Sequence, residues 1–288
     1  MLKNVKNYYY PGSLAEALEL HDRESRSFFI AGGTALALSD SSRPVELIDL
    51  GNLDLDKLVV DKERGLIKIG STTKIQEIVD SRKIKSVLDG YLSDSLKEIG
   101  SFPIRNAGTL GGSLVRPFPW SDVIPILSVL ETKVRYYHKG KEKTRELSKL
   151  YESDFRSTLN HSIIEELSIS LPNQGNTAAK FIKFSRSEFD VAALNLACRL
   201  TVKDGDISEA RISVGARPMT GRRVTELEEK LTGEKLTEKL AKESGKLAVE
   251  STELKGDDKL SEDYRKQLVE KMTEDAILSV KKEVENES

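Results

Sequence analysis

Cysteine is almost absent from this 288-residue chain, in which Cys198 is the only one. A single thiol excludes a disulfide within the chain. It also excludes an iron–sulfur cluster, because such clusters are held mainly by several cysteine thiolates. Histidine is scarce too: His21, His138 and His161 lie far apart in the sequence, without the spacing of zinc ligands. We therefore expect no metal site in the chain.

The chain also lacks an excess of charge of either sign. Its 45 Lys and Arg residues nearly balance its 47 Asp and Glu residues, so the net charge is −2. Such a chain has no strong positive field to hold nucleic acid. It has no run of about 18 apolar residues to span a membrane, and MLKNVKNYYYPGS at its start does not resemble a secretion signal. We expect a cytoplasmic protein that does not bind nucleic acid.

The sequence pattern changes near residue 175, which predicts two domains in a chain of this length. Before that point short strands alternate with short helices. After it come three strand-like runs and then charged helical segments, as in an α+β domain. We therefore place a first domain at 1–175, with subdomains at about 1–55 and 56–175, and a second domain at 176–288.

Local signals place the elements of the first domain. Ser13, with Glu16 three positions later, predicts the start of a helix that ends near residue 22. Gly100 is a typical helix end, and Pro172 stops a strand. The predicted strands cover 28–31, 45–50, 65–71, 132–140 and 166–172; further helices follow Thr73, cover 86–100 and begin near Ser121.

A glycine pair follows the first predicted strand. Gly32-Gly33 lies between strand 28–31 and an apolar segment, where backbone N–H groups could approach a phosphate. A plain tight turn is the more common explanation of such a pair. The chain contains neither G-x-G-x-x-G nor G-x-x-x-x-G-K-[ST], the two nucleotide-binding patterns of fixed spacing.

A second glycine pair, Gly111-Gly112, lies between the hydroxyl residues Thr109 and Ser113. It repeats the chemistry of the first pair about 75 residues later. Two such turns in one domain could hold a diphosphate from two sides, through hydrogen bonds that gain strength from the charge of the anion. The spacing alone does not decide whether they do.

Several segments together resemble the FAD-binding medium subunits of molybdenum hydroxylases, a family that includes the carbon monoxide dehydrogenase flavoprotein and the flavin domain of xanthine dehydrogenase. The resemblance implies an α+β fold: an FAD-binding domain of two α+β subdomains (PCMH type), then a C-terminal domain with a three-stranded antiparallel sheet and helices. The matching segments occur in family order and span nearly the whole chain. They are FIAGGTAL (29–36), IGSTTKIQEI (69–78), IRNAGTLGGS (104–113), Pro119-x-Ser121-Asp122, KFSRSEFDVA (183–192) and SEDYRKQL (261–268).

The same resemblance implies which residues bind FAD. The first glycine segment would surround the pyrophosphate, and the second would approach it from the other side. An aspartate would contact polar groups of the cofactor, a lysine would lie near the flavin, and three aliphatic residues would line an apolar slot. These residues are Ile30, Ala31, Gly32, Gly33, Thr34, Ala35 and Leu36; Thr109, Gly111, Gly112 and Ser113; Asp122; Lys183; and Ile99, Ile104 and Leu167.

Simpler explanations exist for some of these residues. Asp122 has the position of an ordinary helix N-cap, and Lys183 that of a solvated lysine on a strand. Ile104 and Leu167 fit a plain hydrophobic core nearly as well. The sequence also departs from the family pattern, because Ser113 stands where asparagine is common and the stretch RPFPW (116–120) is bulkier than usual.

The resemblance implies an oxidoreductase subunit that carries electrons through FAD. Its partners would be a large molybdopterin-binding subunit and a small subunit with two-iron–two-sulfur clusters. The terminal acceptor stays open, since nicotinamide (NAD), oxygen and quinone acceptors all occur with this scaffold. One alternative is a free-standing FAD-dependent reductase or oxidase of the same fold, although the chain offers no clear proton donor for it. Another is a module that keeps the fold without the flavin.

Overall fold

The computed structural model of the chain describes residues 4–24, 26–39, 43–152, 158–172, 176–217 and 219–286. The strands are β1 (Val5–Tyr9), β2 (Ser27–Ile30), β3 (Val45–Asp49), β4 (Leu58–Asp61), β5 (Leu66–Gly70), β6 (Glu131–His138), β7 (Lys141–Glu146), β8 (Ser162–Ser170), β9 (Asn176–Phe184), β10 (Leu194–Lys203), β11 (Asp206–Gly215) and β12 (Arg222–Arg223). The helices are α1 (Leu14–Arg23), α2 (Thr34–Ala37), α3 (Ile75–Asp80), α4 (Arg82–Lys85), α5 (Tyr91–Lys97), α6 (Phe102–Ala107), α7 (Leu110–Val115), α8 (Val123–Ser128), α9 (Leu147–Glu152), α10 (Thr225–Leu231), α11 (Glu238–Glu250) and α12 (Glu262–Asn286).

The chain forms two compact units. The first unit consists of Met1–Ile78, Ser101–Arg116 and Thr132–Ile169. The second consists of Val79–Gly100, Pro117–Glu131 and Ser170–Ser288. Each unit thus contains several separate stretches of the chain, and the sequence-based division into domains at residue 175 stays a prediction.

The first unit begins with a three-stranded sheet in the order β1-β3-β2, in which both pairs are parallel. Helix α1 starts at Ser13, whose Oγ accepts the N–H of Glu16 at 3.2 Å. The Glu16 carboxylate accepts from Gly12 rather than from Ser13, so only half of the expected reciprocal cap forms. Ala17 of α1 packs against Ile48 of β3 in a small core.

A second sheet of the first unit has five strands in the order β4-β5-β8-β6-β7. The sequence predicts β5, β6 and β8 but not β7, because every residue of Lys141–Glu146 is exposed and the segment has no apolar alternation. Its lysines and glutamates are typical of an edge strand protected against further pairing.

Two parts of the sequence-based prediction are wrong in detail. The helix expected over 86–100 is interrupted, because Asp89 and Gly90 have left-handed backbone angles (φ 46° and 76°), so α5 begins only at Tyr91. The glycine-rich stretch 106–114 was expected to be a loop, but it contains the end of α6 and most of α7. Thr109 caps α7 by accepting the N–H of Gly112.

The second unit contains an antiparallel sheet in the order β12-β11-β10-β9. Its three long strands are the predicted ones, and the two-residue β12 extends the edge. Helix α12 packs on β9 and β10, α10 packs on β11, and α11 packs against α12. Together they enclose a large apolar core that includes Leu196, Cys198, Ile212 and Ile277. The two last helices expected from the sequence are one continuous helix, α12. The protein therefore has the expected α+β fold. No helix of the described residues is long and apolar enough to cross a membrane.

Candidate functional site

The first glycine pair forms a turn between β2 and α2. Gly33 has φ +69°, a left-handed conformation that L side chains rarely adopt. Gly32 lies flat against the backbone of the segment that precedes α7. A Cβ on Gly32 would stand 2.1 Å from the carbonyl oxygen of Ala107 and 2.9 Å from Cα of Gly108. Both positions therefore require glycine, for different reasons.

The N–H groups of residues 32–35 make no hydrogen bond to another described residue. They follow one another at the turn, where a helix start leaves its first amides without intrahelical acceptors. All four residues are half-buried, so the turn is accessible. Consecutive free amides of this kind suit the oxygens of a phosphate group. The free amides thus give this turn the hydrogen-bond donors of an anion-binding site.

The second glycine pair is different. The N–H groups of Leu110 and Gly111 donate to the carbonyls of Thr73 and Ser71 at 3.1 and 2.9 Å. Those of Gly112 and Ser113 donate to the side chain and the carbonyl of Thr109 at 3.2 Å. The four N–H groups of the second pair therefore all donate within the protein, unlike those of the first pair.

Close packing explains Gly111. A Cβ there would stand 2.5 Å from the Cβ of Ser71 and 2.7 Å from its carbonyl oxygen. Gly112 is exposed, and Ser113 is half-buried with its hydroxyl donating to the carbonyl of Thr109 at 3.0 Å. Contacts of Thr109, Gly111, Gly112 and Ser113 with a cofactor stay a prediction from the family resemblance.

The two glycine segments are nevertheless neighbours in the first unit. Gly108, just before the second pair, lies against Gly32 of the first, and a Cβ on Gly108 would be 3.8 Å from Oγ1 of Thr34. The N–H of Ile75 donates to the carbonyl of Gly108 at 3.0 Å. The segment 71–75 is therefore hydrogen-bonded to the second glycine segment, and the first glycine segment packs on Ala107 and Gly108.

The apolar candidates differ in accessibility. Leu36 is buried in a small core with Val45 and Leu47. Ile30 is only partly buried against this core, and its Cδ1 lies 3.3 Å from the place of a Cβ on Gly33. Ile104 on α6 is 47% exposed, whereas Leu167 on β8 is fully buried and offers no surface. Ile99, in the second unit, is half-buried.

In the second unit, Asp122 and Lys183 form a buried ion pair. Oδ2 of Asp122 lies 3.4 Å from Nζ of Lys183, and the two side chains are 7% and 3% exposed. The ammonium also donates to the carbonyl of Glu98 at 2.8 Å. The Asp122 side chain makes no capping hydrogen bond to α8. Asp122 does occupy the N-cap position of α8, as its simpler explanation expects, but its side chain forms the ion pair instead of a cap. Lys183 is buried, so the explanation as a solvated lysine is wrong.

Asn195 completes this cluster and was missed by the sequence analysis. Its amide nitrogen donates to Oδ1 of Asp122 at 2.6 Å and to the carbonyl of Ser121 at 3.2 Å, and the residue is fully buried. A signal was present, because Asn195 is a polar residue in the otherwise apolar run VAALNLAC. A buried polar group needs partners, which identifies such a residue as part of a network.

The register of the sheet brings these residues together. Lys183 on β9, Asn195 on β10 and Gly215 on β11 stand directly opposite one another. Gly215 leaves space for Pro125 of α8, because a Cβ there would be 2.3 Å from Oδ1 of Asn195 and 2.8 Å from Cγ of Pro125. Helix α8 can therefore approach the sheet closely enough to place Asp122 over the lysine and the asparagine.

The ionisation of Asp122 depends on the groups around its carboxylate. Burial raises the pKa of Asp122, while the charge of Lys183 and the hydrogen bond from Asn195 act in the opposite direction. The carboxylate thus depends on both neighbours to stay ionised.

Among the described residues, no group of three or more His, Cys, Asp or Glu side chains could hold a metal ion. His21 and His161, distant in sequence, nevertheless meet in the first unit, where Nε2 of one lies 2.8 Å from Nδ1 of the other. At this distance one ring donates an N–H to a ring nitrogen of the other.

Comparison with known proteins matches both parts of the chain. The family described as "FAD binding domain in molybdopterin dehydrogenase" matches residues 3–174, and "CO dehydrogenase flavoprotein C-terminal domain" matches residues 179–280. The nicotine 6-hydroxylase medium subunit of Paenarthrobacter nicotinovorans is 28% identical over 94% of this chain and 95% of its own length. The 6-hydroxypseudooxynicotine dehydrogenase complex subunit alpha of the same organism is 30% identical, over 77% and 76%.

A solved structure has the same fold. The chain superimposes on a chain of carbon monoxide dehydrogenase from Hydrogenophaga pseudoflava with a TM-score of 0.89, at 21% identity and over 98% and 99% of the two chains. The residues of the first turn fit the cofactor of this family, because free consecutive amides beside a glycine suit the diphosphate of FAD. The chain belongs to the FAD-binding medium subunits of molybdopterin dehydrogenases, the carbon monoxide dehydrogenase flavoprotein family, and is the FAD flavoprotein subunit of an oxidoreductase.

Proposed function

We propose that this subunit receives electrons from iron–sulfur clusters on a partner subunit and passes them through its FAD to a terminal acceptor. When bound, FAD accepts electrons one or two at a time and so links one-electron donors to two-electron acceptors. The chain itself binds and orients the cofactor and contributes the charged groups around it. The substrate would be oxidised on a molybdopterin-binding partner.

The free amides of residues 32–35 carry this proposal. The protein gives them no acceptor among the described residues, and Gly32 lets the turn pack directly on the backbone of Ala107. In the proposed complex these amides donate to the diphosphate of FAD, and Thr34 adds a hydroxyl. Ile30, Ala31, Ala35 and Leu36 are proposed to contribute mainly through their backbone, and Leu36 has a buried side chain.

The cysteine content supports the proposal that the iron–sulfur clusters lie on a partner subunit. Cys198 is the only cysteine, lies fully buried within β10, and has a pKa raised by that burial. It is unavailable as a cluster ligand, so any iron–sulfur centre must lie on another chain. The names of two relatives, a nicotine 6-hydroxylase medium subunit and a glyceraldehyde dehydrogenase medium chain from Sulfolobus acidocaldarius, suggest larger and smaller partners for this chain as well.

Roles for the residues of the second unit follow from the resemblance. We assign Asp122 to polar groups of the cofactor and Lys183 to the neighbourhood of its flavin. A lysine ammonium near the flavin would stabilise negative charge on the reduced ring. Pairing with Asp122 would reduce that effect, so the ionisation of Asp122 would tune it. Ile99 stays a proposed apolar neighbour.

Purification from the native host tests this function. A tag on the chromosomal copy of the chain should recover two further subunits, with molybdenum, iron and about one FAD per copy of the chain. Substrate added to the complex should bleach the flavin absorbance, and the isolated chain should not respond to the same substrate.

The free-standing reductase gives a different result. A tagged chain that is recovered alone, loaded with FAD and reduced directly by NADPH, would contradict the proposed electron path and support that alternative. A chain that never carries flavin would contradict both.

A further inference from the structure

Lys74 lies between the two glycine segments and has no assigned role. It follows Thr73, and its backbone forms an isolated antiparallel bridge with Thr109. The side chain is half-buried, and Nζ donates to the carbonyl of Ala107 at 3.3 Å, a long hydrogen bond. The carboxylate of Glu77 accepts the backbone N–H of Lys74 at 3.4 Å. Within the described part of the chain, the ammonium has no ion-pair partner.

The carbonyl of Ala107 connects this ammonium to the first glycine turn. The same oxygen that accepts from Lys74 is the nearest atom to Gly32, 2.1 Å from the place of a Cβ. The positive charge is therefore separated from the turn by a single carbonyl group. The side of Gly32 that carries no Cβ is filled by this same carbonyl, so Lys74 and Gly32 share one backbone contact.

Two hydroxyls of the same segment are also without partners. Ser71 and Thr73 are buried, and neither Oγ of Ser71 nor Oγ1 of Thr73 has a hydrogen-bond partner among the described residues. A buried donor without an acceptor is unusual in a native protein. The segment 71–74 thus contains three donor groups that the protein leaves weakly satisfied or unsatisfied.

A diphosphate needs charge as well as hydrogen bonds. Each phosphate carries a negative charge, and the amides of 32–35 provide dipoles but no full positive charge. Arg105 is buried and donates to Gln76 at 2.9 Å. Arg116, at the end of α7, donates to the hydroxyl of Ser39 at 3.2 Å. Lys74 is the lysine that contacts the backbone against which Gly32 packs.

We infer that Lys74 supplies the positive charge that faces the diphosphate of FAD. This inference rests on the proposed binding of that diphosphate at residues 32–35. On binding, the ammonium exchanges its long hydrogen bond with Ala107 for a charge-assisted bond to a phosphate oxygen. The lysine is then a binding residue specific for the diphosphate and not for the flavin ring.

Titration of the flavin-free full chain with FAD tests the inference. Binding is followed by quenching of flavin fluorescence at several concentrations of KCl. Lys74→Gln should raise Kd about tenfold, the usual effect of losing one charge-assisted hydrogen bond. It should also make the dependence of Kd on salt weaker, because one ionic contact is missing. Lys74→Arg should keep most of the affinity and the salt dependence.

Matched variants and probes separate this role from others. Lys57→Gln removes the same charge from an exposed lysine of the first unit and should change neither quantity. Arg116→Gln should have less effect than Lys74→Gln. The Kd of ADP, which carries a diphosphate, should rise in Lys74→Gln by about the same factor as that of FAD, whereas riboflavin should bind the variant and the parent chain equally.

The outcomes distinguish this inference from the proposed function. Suppose that the parent chain binds FAD, and that Lys74→Gln has an unchanged unfolding midpoint and binds FAD with the same Kd and salt dependence. The proposed role of Lys74 is then wrong, while the proposed FAD site stands. Equal weakening of riboflavin and FAD would also overturn it. If the parent chain does not bind FAD at all, the proposed function fails first.

Discussion

Lys183 and Asn195 stand opposite each other on neighbouring strands, and both hold the carboxylate of Asp122. The lysine contacts one carboxylate oxygen and the asparagine the other. Because all three side chains are buried, each depends on the others for its hydrogen bonds and charge balance. The antiparallel register, rather than nearness in sequence, creates this arrangement.

Replacement of Asn195 tests that dependence. We expect Asn195→Leu to lower the free energy of unfolding by about 1–3 kcal/mol at pH 8, because the buried Asp122 carboxylate loses a hydrogen bond. The pKa of Asp122, already raised by burial, should rise further. The folded state then binds a proton that the unfolded state does not, so the loss should be smaller at pH 5 than at pH 8.

Urea denaturation at both pH values measures the effect. Asn52→Leu, at an exposed asparagine, should change stability by no more than about 0.5 kcal/mol at either pH. A loss in Asn195→Leu that is independent of pH would mean that Asn195 acts only through packing.

Gly32→Ala should damage both stability and cofactor binding. The new Cβ would meet backbone atoms of Ala107 and Gly108, which cannot move independently. We expect a loss of about 1–3 kcal/mol in the free energy of unfolding, as for other overpacked sites, and a clear drop in the flavin content of the purified chain. Absorbance at the flavin band and urea denaturation measure the two effects.

Gly12→Ala is the matched control for this substitution. A Cβ on Gly12 would have only an ordinary contact with the Glu16 carboxylate at 3.7 Å, and Gly12 has no left-handed backbone. This variant should keep its flavin. If Gly32→Ala keeps it equally well, the close approach to Ala107 does not define the site.

The folded chain should lose stability in mild acid because of His21, which contacts His161. Burial lowers the pKa of His21, and the adjacent His161 lowers it further. The unfolded chain therefore binds a proton at His21 that the folded chain does not, and stability decreases as the pH falls below about 6.5. Thermal unfolding at pH 7.5, 6.5 and 5.5 should show this loss, and His21→Gln should reduce it. If the parent chain and His21→Gln lose the same stability in acid, the loss is due to other titratable groups.

Glu209 should stabilise the folded chain by balancing the charge of the buried Arg199. Its carboxylate accepts from Arg199 at 2.5 Å and from Arg211 at 2.6 Å, and Arg199 is 1% exposed. Glu209→Gln leaves the Arg199 charge buried without an ionised partner, so we expect a loss of about 3–5 kcal/mol. Glu131→Gln, at the exposed end of the same network, should cost less than about 1 kcal/mol. Comparable losses in the two variants, measured by urea denaturation, would contradict this account.

Local sequence signals predict much of the fold. Ser13 marks the start of α1, and the apolar runs around Ile48, Leu167 and Leu196 mark their strands. The turn at Gly32-Gly33 is predictable because a glycine pair directly follows an apolar strand. In each case the residues that determine the element lie within it or beside it.

Long-range contacts explain what the sequence did not predict. Nothing near Gly111 in the sequence indicates that its Cα packs on Ser71, about 40 residues earlier. From the sequence alone, the pair Gly111-Gly112 therefore resembles a second phosphate-binding turn. Asn195 depends on the register of three strands and on the approach of α8. Lys74 is an ordinary lysine until the fold places Ala107 beside it. These contacts arise only when distant segments meet.

Hydrogen exchange at the backbone amides of residues 32–35 tests the central claim most directly. These amides should exchange rapidly in the flavin-free chain and at least about tenfold more slowly with saturating FAD, because they then donate to phosphate oxygens. The amides of 110–113, already bonded within the protein, should be slow in both states. Unchanged exchange at 32–35 in a chain that has bound FAD would contradict the claim that this turn holds the diphosphate.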